Sequence, residues 1–364
     1  MNVGIITFHC SYNFGSALQS FAMQAAVQRL GHVASLIDYR SKDFDQYRLL
    51  QFKHPKSFIR FCMRPASYLK RRNAFHSFWK RFFNLTNKYN DKTRHRMDEL
   101  ASEFDCFVCG SDQIWNLDCT NGIVKPFFLS FAGDRRRVAY APSLAHTSFK
   151  PENFDKRRVS ALLSKFDYLS VREEETVSLF QPLVDKPIEV VLDPTLLLNA
   201  DDYAVMTSRK LLEDGYIFMY LLRECPELVE STVSMATATG RKVAYISENN
   251  LDIPNSVNLF GVGPEEFVSL IAHAGLVLTN SFHATVFSVI FHKPFRVFAT
   301  DKSGARMRDL LGNIGLSSRC ANAICVDDIV PCDWDDVDSH LDSLREHSWS
   351  YLRRFRNGGD APTY

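Results

Sequence analysis

No apolar run in this 364-residue chain reaches the about eighteen residues that a membrane span needs, and its opening, MNVGIITFHC, lacks the basic segment of a secretory signal. The expectation is a soluble, cytoplasmic protein. The nine cysteines are an odd and irregularly spaced set, which argues against a disulfide framework and for reduced thiols. The Cys106/Cys109 spacing invites a metal reading, yet the pair lies in FDCFVC, a strand-like run in which positions three apart face opposite sides, and no second pair completes a zinc site. Both are expected to be buried core. The three-glycine dinucleotide fingerprint and the Walker lysine are missing as well, so neither an NAD-binding protein nor a P-loop ATPase is indicated. The chain also lacks internal repeats and low-complexity tracts.

What is present is a composition of 46% hydrophobic and 23% charged residues, enough at this length for two ordinary cores. The net charge of +1 conceals a strong asymmetry. Residues 48–96 hold fourteen Lys or Arg and a single acid, Asp91, which leaves the remainder net acidic. Within that segment Phe52, Phe58, Phe61, Phe75, Phe78, Trp79, Phe82 and Phe83 interleave with the cations. Such a segment suits an amphipathic helical insert on an anionic membrane surface, or helices that pack their rings on the first domain and keep their basic faces in water. No recognised nucleic-acid motif accompanies it, and no nucleic acid is expected as a partner.

Along the chain, Val3–Phe8 is an apolar run, Ser16–Leu30 has helical spacing and stops at Gly31, and VASLIDY is strand-like again. This βαβ opening predicts a parallel sheet covered by helices. Further strands are expected at Phe104–Cys109, Arg137–Ala141, Tyr168–Val171 and Ile188–Leu192, with helices at Asp155–Phe166 and Glu173–Phe180. A second series follows residue 200: YIFMYLL, a helix at Pro226–Thr239, KVAYIS, a helix from Pro264, the strand Leu276–Thr279, a helix from Phe282, the strand Phe295–Ala299 and a helix at Arg306–Asn313. The expected fold class is α/β, with two doubly wound Rossmann-like domains facing a cleft. Their limits are 1–198, carrying the basic insert at about 48–96, and 199–330, followed by a C-terminal helical segment, 331–364, that returns to the first domain.

In doubly wound sheets ligands bind outside the carboxyl ends of the strands, so the loops there hold the candidate residues. In LVLTNSFHATVF a strand ends at Thr279, Ser281 is an N-cap type, and Phe282 and His283 open a helix. The unpaired N–H groups and partial positive charge there suit a phosphate or carboxylate, and a histidine beside them suits general acid–base work; a packed turn histidine is the plainer alternative. GSDQIW supplies Ser111 and Asp112 after another strand, a hydroxyl and a carboxylate that can orient a sugar hydroxyl or merely cap a turn. Asn13, Phe14 and Gly15 form a short glycine turn opening a helix, a candidate sugar or anion contact. Arg172 follows YLSV and can fork onto a carboxylate or phosphate, or pair with a local Glu. Arg306 and Arg308, in SGARMRDLL, carry the same ambiguity.

Taken together, NFGSALQSFAMQ, GSDQIWN, VAYAPS, SVRE, VVLDPTLLL, VGPEEF, TNSFHATVFSVIFHKPF and RMRDLLGNIGL, in this order, resemble the polysaccharide pyruvyl transferase family. The resemblance implies a fold similar to the two-domain GT-B architecture, with the acceptor on the first domain (Asn13, Phe14, Gly15, Ser111) and the donor on the second. It implies transfer of a pyruvyl group from phosphoenolpyruvate to a sugar of a surface polysaccharide or lipid-linked oligosaccharide, as in exopolysaccharide and capsule assembly, with a ketal formed and phosphate released. No cofactor and no metal are required. His283 would serve as general acid or base, while Arg172 and the Ser281–Phe282 position would bind the donor; Asp112, read from its own place after a strand, is the second catalytic candidate, orienting a sugar hydroxyl or acting as its base.

One departure stands out. Many relatives read Arg-Leu-His where this chain reads Ser281-Phe282-His283, so one donor-binding arginine is replaced, and Arg306 or Arg308 from the next strand–helix loop is the candidate substitute. A nucleotide-sugar glycosyltransferase on the same architecture, or a non-catalytic glycan or nucleic-acid binding protein, are the other readings that the residues allow.

Overall fold

A computed structural model describes residues 1–41, 49, 59, 61–144, 155–299, 304–320 and 331–354. The chain divides into two compact units, one of residues 1–47, 82–197 and 342–364, the other of residues 48–81 and 198–341.

The first unit is built on a parallel sheet of β1 (Asn2–Ile6), β2 (Val33–Leu36), β3 (Cys106–Cys109), β4 (Arg136–Ala139), β5 (Tyr168–Val171) and β6 (Ile188–Val190) in the order β2-β1-β3-β4-β5-β6. Central strands of such a sheet are covered on both faces, so β1 and β3 are near-continuous apolar runs. Every residue of β3 is buried, Cys106 and Cys109 among them, and both thiols are free. Burial pushes the Cys106 thiol up to about 12, the behaviour of a packed hydrophobe rather than a ligand.

Helix α1 (Phe14–Arg29) starts where the Asn13 side chain accepts the Ser16 N–H at 3.2 Å, and the chain turns away at Gly31, whose φ of +83° suits glycine. Trp115 anchors the core beneath GSDQIW: its ring stacks on Phe128 at 5.2 Å and its indole N–H donates to the Phe127 carbonyl at 3.0 Å. The C-terminal helix ends in this unit, with the Ser348 hydroxyl accepting Leu192 N–H at 3.0 Å and the Tyr351 hydroxyl donating to Ala139 O at 2.7 Å.

The second unit holds α2 (Pro65–Phe82) up to residue 81, and a parallel sheet of β7 (Ile217–Tyr220), β8 (Val243–Ile246), β9 (Ser256–Asn258), β10 (Leu276–Thr279) and β11 (Phe295–Val297) in the order β11-β10-β7-β8-β9. The short, half-buried edge strand β9 lacks an apolar run and was not visible in the sequence pattern. Pro264 opens its helix, Pro264–Ala272, and the Glu266 carboxylate reaches back to accept Gly263 N–H at 3.0 Å.

Residues 48–81 belong to this second unit, not to the first, where the sequence reading placed the insert. The reason is packing. The Tyr68 ring meets Phe260 edge-on at 4.8 Å, Arg71 lies over the rings of Phe75 (5.0 Å) and Phe260 (5.1 Å), and Arg81 pairs with Glu265 at 2.7 Å. A Cβ on Gly263 would stand 2.7 Å from the Ala74 Cβ, so the glycine of VGPEEF is what allows α2 to approach. Part of the insert, residues 48, 50–58 and 60, lies outside the described residues.

Candidate active site

Each sheet has one point where the strand order reverses, and a parallel sheet opens a ligand crevice there. In the first sheet it lies at the carboxyl ends of β1 and β3, in the second at those of β7 and β10.

At the first point the loops after β1 and β3 are stitched together. Thr7 Oγ1 donates to Ser111 O at 2.9 Å, Ser111 N–H donates to Gln19 Oε1 at 3.2 Å, and the Gln19 amide donates to Thr7 Oγ1 at 3.0 Å. Gly110 is required here: its φ is +110°, and a Cβ would stand 2.1 Å from the Tyr140 carbonyl oxygen. Asp112 follows with φ +67°, accepting the Ser16 hydroxyl at 2.5 Å on one oxygen and Gln113 N–H at 2.8 Å on the other. Asp112, Ser16, Gly15 and Phe14 are buried and Asn13 is half-buried.

Ser111 is fully buried, and its hydroxyl donates to Ala141 O at 2.9 Å beside Asp193 Oδ2 at 3.3 Å. Arg172 meets the same Asp193 oxygen at 2.6 Å and Glu173 Oε1 at 3.1 Å, while Ser143 donates to Glu173 Oε1 at 2.5 Å. Burial opposes the Arg172 charge, but Glu173, Asp193 and Asp112 more than offset it and raise its pKa above the ordinary arginine value. Thus Ser111 and Arg172 are joined through Asp193, and Arg172 and Ser143 through Glu173, while Asp112 is tied to Ser16 at the start of α1, which Asn13 caps. Asp193 stands in VVLDP directly after a strand, the position that would have flagged it.

A second buried cluster adjoins β1. His9 Nε2 lies 3.0 Å from Asp38 Oδ1 and Nδ1 lies 3.1 Å from the Thr7 carbonyl; both partners are acceptors, so the ring carries both protons. Burial alone would lower the His9 pKa, but Cys10 and Asp38 outweigh it and lift it to about 10. Burial likewise works against the Asp38 charge, yet His9 and Arg40 hold its pKa at about 2. One ligand-type atom each from His9, Cys10 and Asp38 falls within 4.8 Å of the others, a grouping not visible in the sequence because β1–β2 pairing creates it. With both imidazole nitrogens engaged and Arg40 forked on Asp38 at 2.5 and 2.9 Å, it is built as a chain of ion pairs.

At the second point Asn280 ties the two strands, accepting Leu222 N–H at 2.8 Å and donating to Arg223 O at 2.8 Å. Ser281 is the N-cap of the helix Phe282–Ile290, its hydroxyl facing Ala284 N–H at 3.5 Å. Its side chain thus serves the helix start. His283 is half-buried in the first turn, edge-to-face with Phe282 at 5.2 Å, and the Arg306 guanidinium lies 5.6 Å over the other partner of that contact, the Phe282 ring. Arg306 is buried whereas Arg308 is exposed. The structure therefore joins His283, Phe282 and Arg306 and leaves Arg308 outside the group. His292, at the far end of this helix, stacks on Trp334 at 4.8 Å and reaches Asp338 at 3.1 Å.

A family model described as Polysaccharide pyruvyl transferase matches residues 13–302, which takes in both points. The chain belongs to the polysaccharide pyruvyl transferase family. As a member it is a transferase, and pyruvyl transfer in polysaccharide synthesis is its general activity. No curated protein sequence matches the chain.

Among solved structures it is similar to UDP-GlcNAc 2-epimerase from Methanocaldococcus jannaschii (14% identity over 99% of this chain and 100% of that one, TM-score 0.50). It is also similar to UDP-GlcNAc 2-epimerase from Neisseria meningitidis bound to UDP-GlcNAc (12%, 97% and 93%, TM-score 0.53). An alpha-glucosyltransferase in complex with UDP and DNA is a third (10%, 97% and 95%, TM-score 0.51). At these identities the likeness concerns the fold, which is α/β and GT-B-like for this pyruvyl transferase. Among the described residues no helix is long and apolar enough to cross a membrane.

Proposed function

We propose that this pyruvyl transferase takes phosphoenolpyruvate as donor and places the pyruvyl group, as a ketal, on two hydroxyls of a sugar in a surface polysaccharide or its lipid-linked precursor. The observation that carries the reading is that the family's sequence blocks fall on the strand-order reversals of both sheets, with an acid–hydroxyl network at one and a histidine–arginine pair at a helix start at the other.

The chemistry divides accordingly. The enol methylene must be protonated so that the central carbon becomes electrophilic; His283 supplies that proton. The two sugar hydroxyls then form the two new C–O bonds, the C–O bond to phosphate breaks, and phosphate leaves with the bonding pair. One hydroxyl proton restores His283 and the other departs on phosphate, so no oxidant or metal enters the balance. Asp112 orients a sugar hydroxyl and takes its proton only in passing, handing it on to the departing phosphate.

For the donor's anionic groups the better assignment is Arg306. Arg306 lies over the Phe282 ring at the start of the His283 helix, where the helix N–H groups suit a carboxylate or phosphate and a guanidinium beside them adds positive charge. Arg172, already answered by two carboxylates, acts instead as a positioning residue that fixes Asp193 and through it Ser111. Arg306 would then stand for the arginine that Ser281 replaces.

Thermal shift measurements test this without knowledge of the acceptor, because a ligand of the native state raises the melting temperature. Phosphoenolpyruvate should stabilise the protein, and Arg306→Gln should reduce the shift at a given concentration. Stabilisation by UDP-, GDP- or CMP-sugars with none by phosphoenolpyruvate would move the reading to glycosyl transfer.

A further inference from the structure

The basic segment is sorted by face. In α2 the rings of Tyr68, Phe75, Phe78 and Trp79 are buried together with Arg71, and the close approach at Gly261 and Gly263 fixes that side against the second unit. On the rest of the helix Leu69, Arg72 and Lys80 are exposed, as are Met63, just before α2, and Lys70, whose side-chain stem packs beside Gly261. Met63 precedes α2, from which the non-helical Arg64 separates it, so the exposed aliphatic groups stand one just before the helix and one, Leu69, in its first turns.

This exposed surface is unusual in its aliphatic content. Seven large apolar side chains are exposed among the described residues, and three of them, Ile59 (56%), Met63 (75%) and Leu69 (49%), belong to this one segment. It is equally one-sided in charge, since no Asp or Glu occurs from residue 48 to residue 90. Aliphatic groups that protrude amid cations match a surface that is apolar inside and anionic outside.

We propose that the exposed surface of α2, together with the residues just before it, docks on an anionic lipid bilayer, with Met63 and Leu69 entering the headgroup boundary and Lys70, Arg72 and Lys80 lying on the phosphates. Single-stranded nucleic acid, the other polyanion with which such a charge pattern is compatible, is bound through aromatic rings that stack on bases. Here the rings of α2 are spent on packing and the exposed surface offers aliphatic groups instead. The inference is independent of the pyruvyl-transfer reading: vesicle binding and phosphate release are separate measurements, and either can fail alone.

The full chain is to be sedimented with vesicles of phosphatidylcholine alone and of phosphatidylcholine mixed with phosphatidylglycerol, at low and high salt. Binding to the mixed vesicles only is expected, weakening steeply as salt rises. Met63→Glu with Leu69→Glu should lower the association by about tenfold or more, and so should Lys70→Glu with Arg72→Glu. Met63→Gln with Leu69→Gln serves as the milder second pair, and the melting temperature of each variant reports its fold. Equal binding to neutral vesicles, no binding, wild-type binding by folded variants, or tighter binding to a mixed-sequence oligonucleotide than to anionic vesicles would each overturn the proposal.

Discussion

The two strand-order reversals solve the same geometric problem with opposite chemistry. At the first, charges of both signs are interleaved: Arg172 is buried between Glu173 and Asp193, and buried His9 and half-buried Arg40 meet on Asp38. At the second, the key groups are held by a helix cap and by ring contacts, Ser281 at the helix start and Phe282 against both His283 and Arg306. The difference matters for an incoming anion. A guanidinium clasped by two carboxylates offers it a field already cancelled, whereas one laid on a ring, near a helix N-terminus, adds to a positive field. In the proposed reading the first edge presents oxygen acceptors to hydroxyls and the second receives negative charge.

The comparison is broken most severely at His283. Replacing it with Ala should cut phosphate release by about 10²–10⁴-fold, the usual weight of a general acid, and leave the melting temperature almost unchanged because the side chain is half-buried. Unaltered turnover would remove it from the chemistry. The first edge should answer in the other currency. Arg172→Met leaves Glu173 and Asp193 buried without their cation, and denaturant unfolding should show a loss of about 3–5 kcal/mol. A variant as stable as the parent would mean that the network is not what holds this edge.

The distinction within the second unit is finer. Arg306→Gln should weaken phosphoenolpyruvate binding by about tenfold, roughly one charge-assisted contact, while the exposed Arg308→Gln leaves it unchanged. The reverse result, read by titration calorimetry, would exchange their roles.

A last effect is a pH dependence of stability confined to the first unit. The His9 pKa is raised from 6.5 to about 10, so its contribution is fully present below about 6.5 and is lost as pH climbs toward 10. Asp38, held at about 2, contributes above its ordinary range and loses that contribution as pH falls toward 2. The melting temperature should therefore decline on the alkaline side, and His9→Gln should flatten that decline. An equal alkaline decline in the variant would place its origin elsewhere.

Much of the fold was legible because it rests on local pattern. Apolar runs such as CFVC and LVLT can only be strands covered on both faces, and Asn13, Gly263–Pro264 and Ser281 mark helix starts by chemistry that needs no distant partner. Strand β9, half-buried at an edge, had no such signature. The site was legible in part for the same reason: Asp112, Arg172 and His283 each follow a strand, and position after a strand is a local property. Their partners were not. Asp193 lies 82 residues from Ser111, and Asp38 lies 29 from His9, so only strand pairing brings them together.

The sequence by itself determined the alternation of strands and helices, the family to which the chain belongs and the concentration of positive charge in residues 48–96, because each of these is carried by neighbours along the chain. The tertiary structure alone decided which carboxylates answer Arg172, which of Arg306 and Arg308 joins His283, and that α2 packs on the second unit with its rings inward. Those choices depend on which side chains meet across sheets and helices, and burial, which penalises an unanswered charge and rewards a covered ring, selects among them only once the chain has folded.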